Sequence, residues 1–219
     1  MKRMILAFGL ATAVTLTAKA SVIVSSFNDI EYWVGTGANQ AGLVIDFHDG
    51  AAEQSFAWGF RWDGVATGYD MLTAIDAASV ELSINSPSYV MGVSFQGLAH
   101  TQTTNFFDTS WGYYLAGGTA TIFDSNPPYG PVGILSPPGG GSNIPTSWTI
   151  STAGSSDRQL ANGSWDALSF GANQVSGQYL HLDPPSSVTY AAVPEPSTLA
   201  LAFLALPPLI YARKRLHAG

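Results

Sequence analysis

The sequence predicts a mainly β body with one short helix, an α+β domain of β-sandwich-like build, set between two apolar end segments. Three observations lead there. Short runs of β-branched and aromatic residues recur along the chain, separated by turns of Gly, Pro, Asn and Ser. A single internal stretch, residues 69–78, leaves the period of two for helical spacing. Both ends carry apolar runs flanked by Lys and Arg, which set them apart from the body.

Residues 21–26 alternate as a first strand, and 31–34 and 43–47 follow as strands on either side of a Gly-rich turn at 35–42. Phe56, Trp58, Phe60 and Trp62 lie two residues apart, so one strand turns four rings to the same face. A face of that size is expected to turn inward, which leaves Arg61 on the opposite side. Asp63 and Gly64 end the strand in a turn. Met71, Leu72 and Ile75 then give a short amphipathic helix, with Thr67 or Asp70 as its cap. Residues 80–84 and 89–95 return to strand spacing.

Beyond Gln96 the chain reads as irregular but aromatic, with Phe106, Phe107, Trp111, Tyr113 and Tyr114 among Gly112, Gly117 and Gly118. Residues 125–146 shift to Pro, Gly and Ser and are expected as a loop. Residues 148–150, 165–170 and 178–182 close the body, which spans 21–182, and 183–192 form a linker stiffened by Pro184 and Pro185.

The ends have the order that export requires. Lys2 and Arg3 precede an apolar run at 4–16, and the small residues Ala18 and Ala20 place signal cleavage before Ser21. The expected partners are the Sec translocon and signal peptidase. At the other end, Pro194-Glu195-Pro196 is followed by an apolar stretch at 199–211 and by Arg213-Lys214-Arg215, a stop held on the cytoplasmic side. Fifteen helical residues, 197–211, reach only about 22 Å of the roughly 30 Å hydrocarbon core. Pro207-Pro208 shortens that helix further. Such a segment suits transient anchoring.

These three parts in this order resemble the PEP-CTERM sorting domain of Gram-negative bacteria, over 193–219. The resemblance implies that an exosortase, a membrane cysteine protease-transpeptidase, recognises Pro194, Glu195 and Pro196 and releases or transfers the protein outside the cell. It also implies an exopolysaccharide-producing, biofilm-forming host. The body carries a second resemblance. Tyr32-Trp33-Val34-Gly35, Leu43-Val44-Ile45-Asp46-Phe47, the aromatic strand and Thr67-Gly68-Tyr69-Asp70-Met71-Leu72 are together similar to a module of secreted and surface bacterial proteins, which implies a location and no chemistry.

Composition narrows the function further. Six of the eight Lys and Arg lie in the end segments, leaving Arg61 and Arg158, whereas fourteen of the fifteen acids lie between those segments. The body's formal charge is therefore −12, against −7 for the whole chain. Such a field repels phosphate backbones and excludes nucleic acid as a partner. Cysteine is absent, so thiolate nucleophiles, thiolate metal sites and disulfides are all excluded.

Asp46, His48, Asp49 and Glu53 are the densest polar cluster, and oxygen-rich clusters can hold Ca²⁺. Their spacing lacks the EF-hand register, and Gly50 suits a charged turn, so no metal or cofactor is expected. A glycosidase needs a facing pair of carboxylates, and nothing singles one out. A serine hydrolase is no better marked: no G-x-S-x-G elbow occurs, and His48, His100 and His181 have no signature around them. No catalytic residue is expected. Arg61, Trp111 and Tyr113 are the candidate ligand-binding residues: Arg61 suits an internal ion pair or a ligand carboxylate, and exposed aromatics beside Asp and Asn suit stacking on sugars. The leading expectation is a non-enzymatic cell-surface or extracellular-matrix protein, with extracellular polysaccharide as a partner. A glycan- or small-ligand-binding module is the alternative, and a hydrolase the third.

Overall fold

The computed structural model describes residues 22–48, 54–102, 109–123, 130–172, 174–175, 178–179, 184–186 and 188–192. Both end segments, with the cleavage, sorting and stop residues expected there, lie outside them. So do Asp49, Glu53, Phe106, Phe107 and His181.

Among the described residues the chain is mainly β with one α-helix. In order it forms β1 (Trp33–Gly35), β2 (Asn39–Asp46), β3 (Ser55–Trp62), α1 (Gly68–Ala78), β4 (Ser83–Asn85), β5 (Gly92–Phe95), β6 (Leu98–Thr101), β7 (Thr109–Ala116) and β8 (Thr119–Phe123). It continues with β9 (Pro131–Leu135), β10 (Thr149–Ile150), β11 (Arg158–Gln159), β12 (Ser164–Ala172), β13 (Gln174–Val175), β14 (Gln178–Tyr179) and β15 (Tyr190–Ala191).

The principal sheet is mixed and runs β1-β3-β2-β12-β7-β10, with β15 sharing β3's outer edge beside β1. Strand β2 pairs antiparallel with β3 from Asn39 opposite Trp62 to Asp46 opposite Ser55, and parallel with β12 on its other side. Residues 41–47 are all buried, because side chains from both faces of this central strand are covered. One face packs on α1 and on the three-stranded sheet β4-β5-β6, enclosing Leu43, Ile45, Trp58, Met71, Leu72, Ile75, Val93 and Phe95. The other face is covered by 22–30 and 144–148, around Trp165, Ala167, Phe27 and Trp33. Two glycines make that second layer possible. A Cβ at Gly42 would come within 2.2 Å of the Trp165 ring, and one at Gly59 within 2.3 Å of Trp33.

The aromatic strand is β3. Trp58, Phe60 and Trp62 are buried and Phe56 is partly buried against the same cluster. Phe95 meets both Phe56 and Trp58 edge-on at 5.0 Å, while Phe60 and Trp62 stack at 5.5 Å. The helix begins at Gly68, and its start is a capping box. Thr67 Oγ1 accepts from the Asp70 amide at 3.2 Å, and Asp70 Oδ2 accepts from the Thr67 amide at 2.8 Å.

Several expectations need correction. Residues 22–26 make only single bridges, Ile23 with Tyr190 and Ser26 with Asn143. A second capping box, Ser26 with Asp29, turns this segment into a 3₁₀ turn at Phe27–Asp29 before a strand can extend. The turn after β1 is shorter than 35–42, since β2 already starts at Asn39. The stretch after Gln96 is regular and supplies β6, β7 and β8. Gly117 and Gly118 have φ of +68° and +64°, the pair of left-handed residues that a two-residue hairpin needs between β7 and β8. Strand β9 lies inside 125–146, where Pro131, Gly133, Ile134 and Leu135 pair with β8. Tyr190–Ala191, inside the expected linker, pairs with Phe56 and Ala57 of β3.

Trp58 is wholly buried, yet its indole N–H has no hydrogen-bond partner among the described residues. Trp58→Ala is expected to cost about 3–5 kcal/mol, a large part of the roughly 5–15 kcal/mol that holds a domain together. Trp58→Phe should cost clearly less, because removing the unpaired donor offsets part of the lost contact. Urea denaturation of both variants measures this, and equal losses would show that the N–H carries no penalty.

Candidate functional site

One concavity lies between β7, the turn joining β4 to β5 and the loop after β10. It encloses about 480 Å³, within the usual range of small-ligand sites. Its floor is Trp111 and Tyr113 of β7, with Leu72 of α1 and Leu168 of β12. Alternation along β7 places both aromatics on the same face of the strand. Trp111 is held by its indole N–H, which donates to the His100 carbonyl at 3.2 Å, and by an edge-on contact with Phe47 at 5.5 Å.

Two loops form the walls. The turn between β4 and β5 contributes Ser88 and Tyr89, and the loop after β10 contributes residues 151–155. The Ser151 amide donates to the Tyr113 carbonyl at 2.7 Å, which seats the second wall on the floor strand. The Ser155 amide donates to the Ser88 carbonyl at 3.2 Å, and Ser155 Oγ to that of Pro87, so the walls meet at one end. Gly154 permits the closure, because a Cβ there would stand 2.5 Å from the Ser88 oxygen. Tyr89 stands at the mouth, 53% exposed, and desolvation raises its phenol above the ordinary pKa of 10.0.

A charged network lies beneath the floor. Asp166 of β12 and Arg158 of β11 are both fully buried. Arg158 Nε donates to Asp166 Oδ1 at 2.9 Å, with Nη2 2.8 Å from the same oxygen as an ion-pair contact outside hydrogen-bond geometry. Nη1 reaches the carbonyls of Thr119 and Gln159, each at 3.4 Å. The second carboxylate oxygen accepts from the Tyr113 hydroxyl. One side of Tyr113 thus borders the cleft while its hydroxyl end is enclosed. Burial, and then the Asp166 charge, push that phenol well above its ordinary value. Gly68 gives it room, since a Cβ there would meet the Tyr113 oxygen at 2.2 Å.

The structure also brings Ser169 to Asp46 and His48, a meeting that nothing in the sequence indicated. His48 Nδ1 lies 3.1 Å from Ser169 Oγ, and Nε2 lies 3.5 Å from Asp46 Oδ2. The three types are those of a hydrolase triad, but the arrangement does not suit one. Nδ1 also lies 3.0 Å from the Phe170 carbonyl, which can only accept, so that nitrogen carries its proton and cannot take one from Ser169. Ser169 is fully buried as well. Asp46 Oδ2 accepts from the Ser186 amide at 2.6 Å and Oδ1 from the His48 amide at 3.1 Å. The cluster ties the ends of β2 and β12 to residue 186.

Of the candidate ligand-binding residues, Trp111 and Tyr113 meet in the cleft. Arg61 is elsewhere: its guanidinium sits 4.7 Å over the Trp33 ring at an exposed position of β3, outside the lining of the cleft. Tyr89, Ser88 and the 151–155 wall were not singled out in the sequence, because nothing local joins two loops sixty residues apart. Asp46 is buried and bound by backbone amides, and among the described residues no group of three or more His, Asp or Glu is placed to hold a metal ion.

Removing one member of the buried pair should be costly. Arg158→Met is expected to destabilise by about 3–5 kcal/mol, and adding Asp166→Leu should recover much of that, because an unpaired buried charge costs more than an apolar replacement. Chemical denaturation of the single and double variants checks the sign of the coupling. Tyr113 gives a pH-dependent expectation. Its folded pKa is raised, so its contribution is complete below about pH 10 and is lost as the unfolded chain releases the proton at higher pH. Tyr113→Phe should flatten the alkaline fall in stability above pH 10, and an unchanged slope would count against the enclosed phenol.

Scans of family models, curated proteins and solved structures find no match to this chain.

Proposed function

We propose that the protein is an exported, non-enzymatic component of the cell surface or extracellular matrix, sorted by an exosortase-type membrane protease. The observation that carries this is the order of the tail: the Pro194-Glu195-Pro196 box, a short apolar stretch, then Arg213-Lys214-Arg215, in a chain that opens with a cationic and apolar leader. The strongly acidic body, with two arginines and no lysine between the end segments, is in keeping with a solvated extracellular protein. Among the described residues no helix is long and apolar enough to cross a membrane, so any anchoring in this reading falls to the tail.

The cleft supports the non-enzymatic part. Among the described residues its lining has no Asp, Glu, His, Lys or Arg, and Tyr113 holds its proton far above neutrality. Proton transfer at neutral pH therefore has no group to run through there. The same cleft favours a second reading, a small-ligand- or glycan-binding module, because a neutral aromatic concavity can bind what it cannot convert.

Replacing Pro194, Glu195 and Pro196 with Ala in the native host should trap a full-length precursor in the inner membrane. Cell fractionation with immunoblotting reads the outcome. Normal release of the triple variant would falsify the sorting proposal.

A further inference from the structure

We infer that the cleft over β7 binds an uncharged, hydroxyl-rich ring, a neutral glycosyl unit of a longer chain; this rests on the binding-module reading above. Charge narrows the ligand first. Among the described residues no lining residue is Lys, Arg or His, so an anion entering the cleft would lose water without gaining a counter-charge. The acidic body around it would repel the same anion before contact. No lining carboxylate offers a partner to a primary ammonium or guanidinium either.

The remaining surface is of two kinds. Tyr89, Trp111 and Tyr113 supply aromatic surface from two separate elements, and Ser88 and Thr152 add hydroxyl-bearing side chains. A hydroxyl both donates and accepts, which matches a ligand whose own groups do the same. A pyranose with equatorial hydroxyls has this division, with C–H groups on its faces and hydroxyls round its rim. A purely apolar ligand would leave the cleft's polar rim dry and unpaired. The volume of about 480 Å³ holds about two such rings, and the open mouth at Tyr89 lets a chain continue outward.

The test uses the purified full-length chain, titrated by calorimetry with cellohexaose, an alginate hexamer, choline and the neutral dye Nile red. Cellohexaose is expected to bind, and the alginate hexamer is expected to bind at least about tenfold more weakly. Tyr89→Ala should weaken cellohexaose about tenfold with an unchanged melting temperature, since Tyr89 is 53% exposed. Ala153→Phe, which places a ring in the cleft, should abolish binding. Binding of choline or Nile red alone, lost in Ala153→Phe, would overturn the glycosyl assignment and leave the binding module standing. No binding of any of the four would overturn both, and cellohexaose binding unaffected by either variant would move the site away from the cleft.

Discussion

Asp166 sits in the middle of a strand buried on both faces, and a carboxylate there is tolerable only if its charge is met on the spot. The surroundings of the cleft follow from that requirement. Arg158 is brought from β11 to one oxygen and Tyr113 from β7 to the other. Gly68 at the start of α1 leaves space for the phenol, and Gly118 leaves space for the guanidinium, since a Cβ at Gly118 would lie 2.4 Å from Nη1. One carboxylate thereby fixes the relative positions of two strands, a hairpin turn and the first turn of the helix.

The binding surface inherits this rigidity. Tyr113 cannot swing into the cleft without abandoning Asp166, and Trp111 is anchored from behind by the His100 carbonyl. Both floor aromatics are therefore held before any ligand arrives, which lowers the entropy lost on binding. Adaptability is confined to the walls, where Tyr89 is exposed and residues 151–154 are loop. The division between stiff floor and looser rim suits recognition of one unit in a repeating polymer.

Local pattern made part of this legible. The four rings of β3 and the capped helix could be read because the information lies within ten residues: a period of two, a period near four, and a Thr-x-x-Asp cap. The hairpin at Gly117–Gly118 was equally local, but the aromatic crowding of β7 hid its alternation, and 110–116 read as irregular. Other features were not local at all. Parallel pairing of β2 with β12, the closure of 151–155 on 87–88 and the meeting of His48 with Ser169 join residues sixty to a hundred and twenty positions apart. Arg61 shows how composition and local packing point to different neighbours. As one of two body cations it drew attention as a ligand contact, whereas its nearest favourable surface is the Trp33 face beside it.

The scarcity of cations ties the buried network to the outer surface. Of the body's two arginines, Arg158 is wholly buried against Asp166, and only Arg61 is exposed. Thirteen acids are left against that single surface arginine, so the field outside is of almost one sign. At physiological salt this field extends about 8 Å, far enough to shape the approach to a cleft but too short to disturb its interior. In the proposed binding reading, a neutral cleft within an acidic shell would select in two steps, since the shell would turn away polyanions at a distance and the aromatic floor would then sort among the uncharged chains that reach it. That selection has its strongest consequence in a matrix where charged and uncharged polymers are mixed, because affinity for the neutral chain need not be high when its competitors are excluded electrostatically.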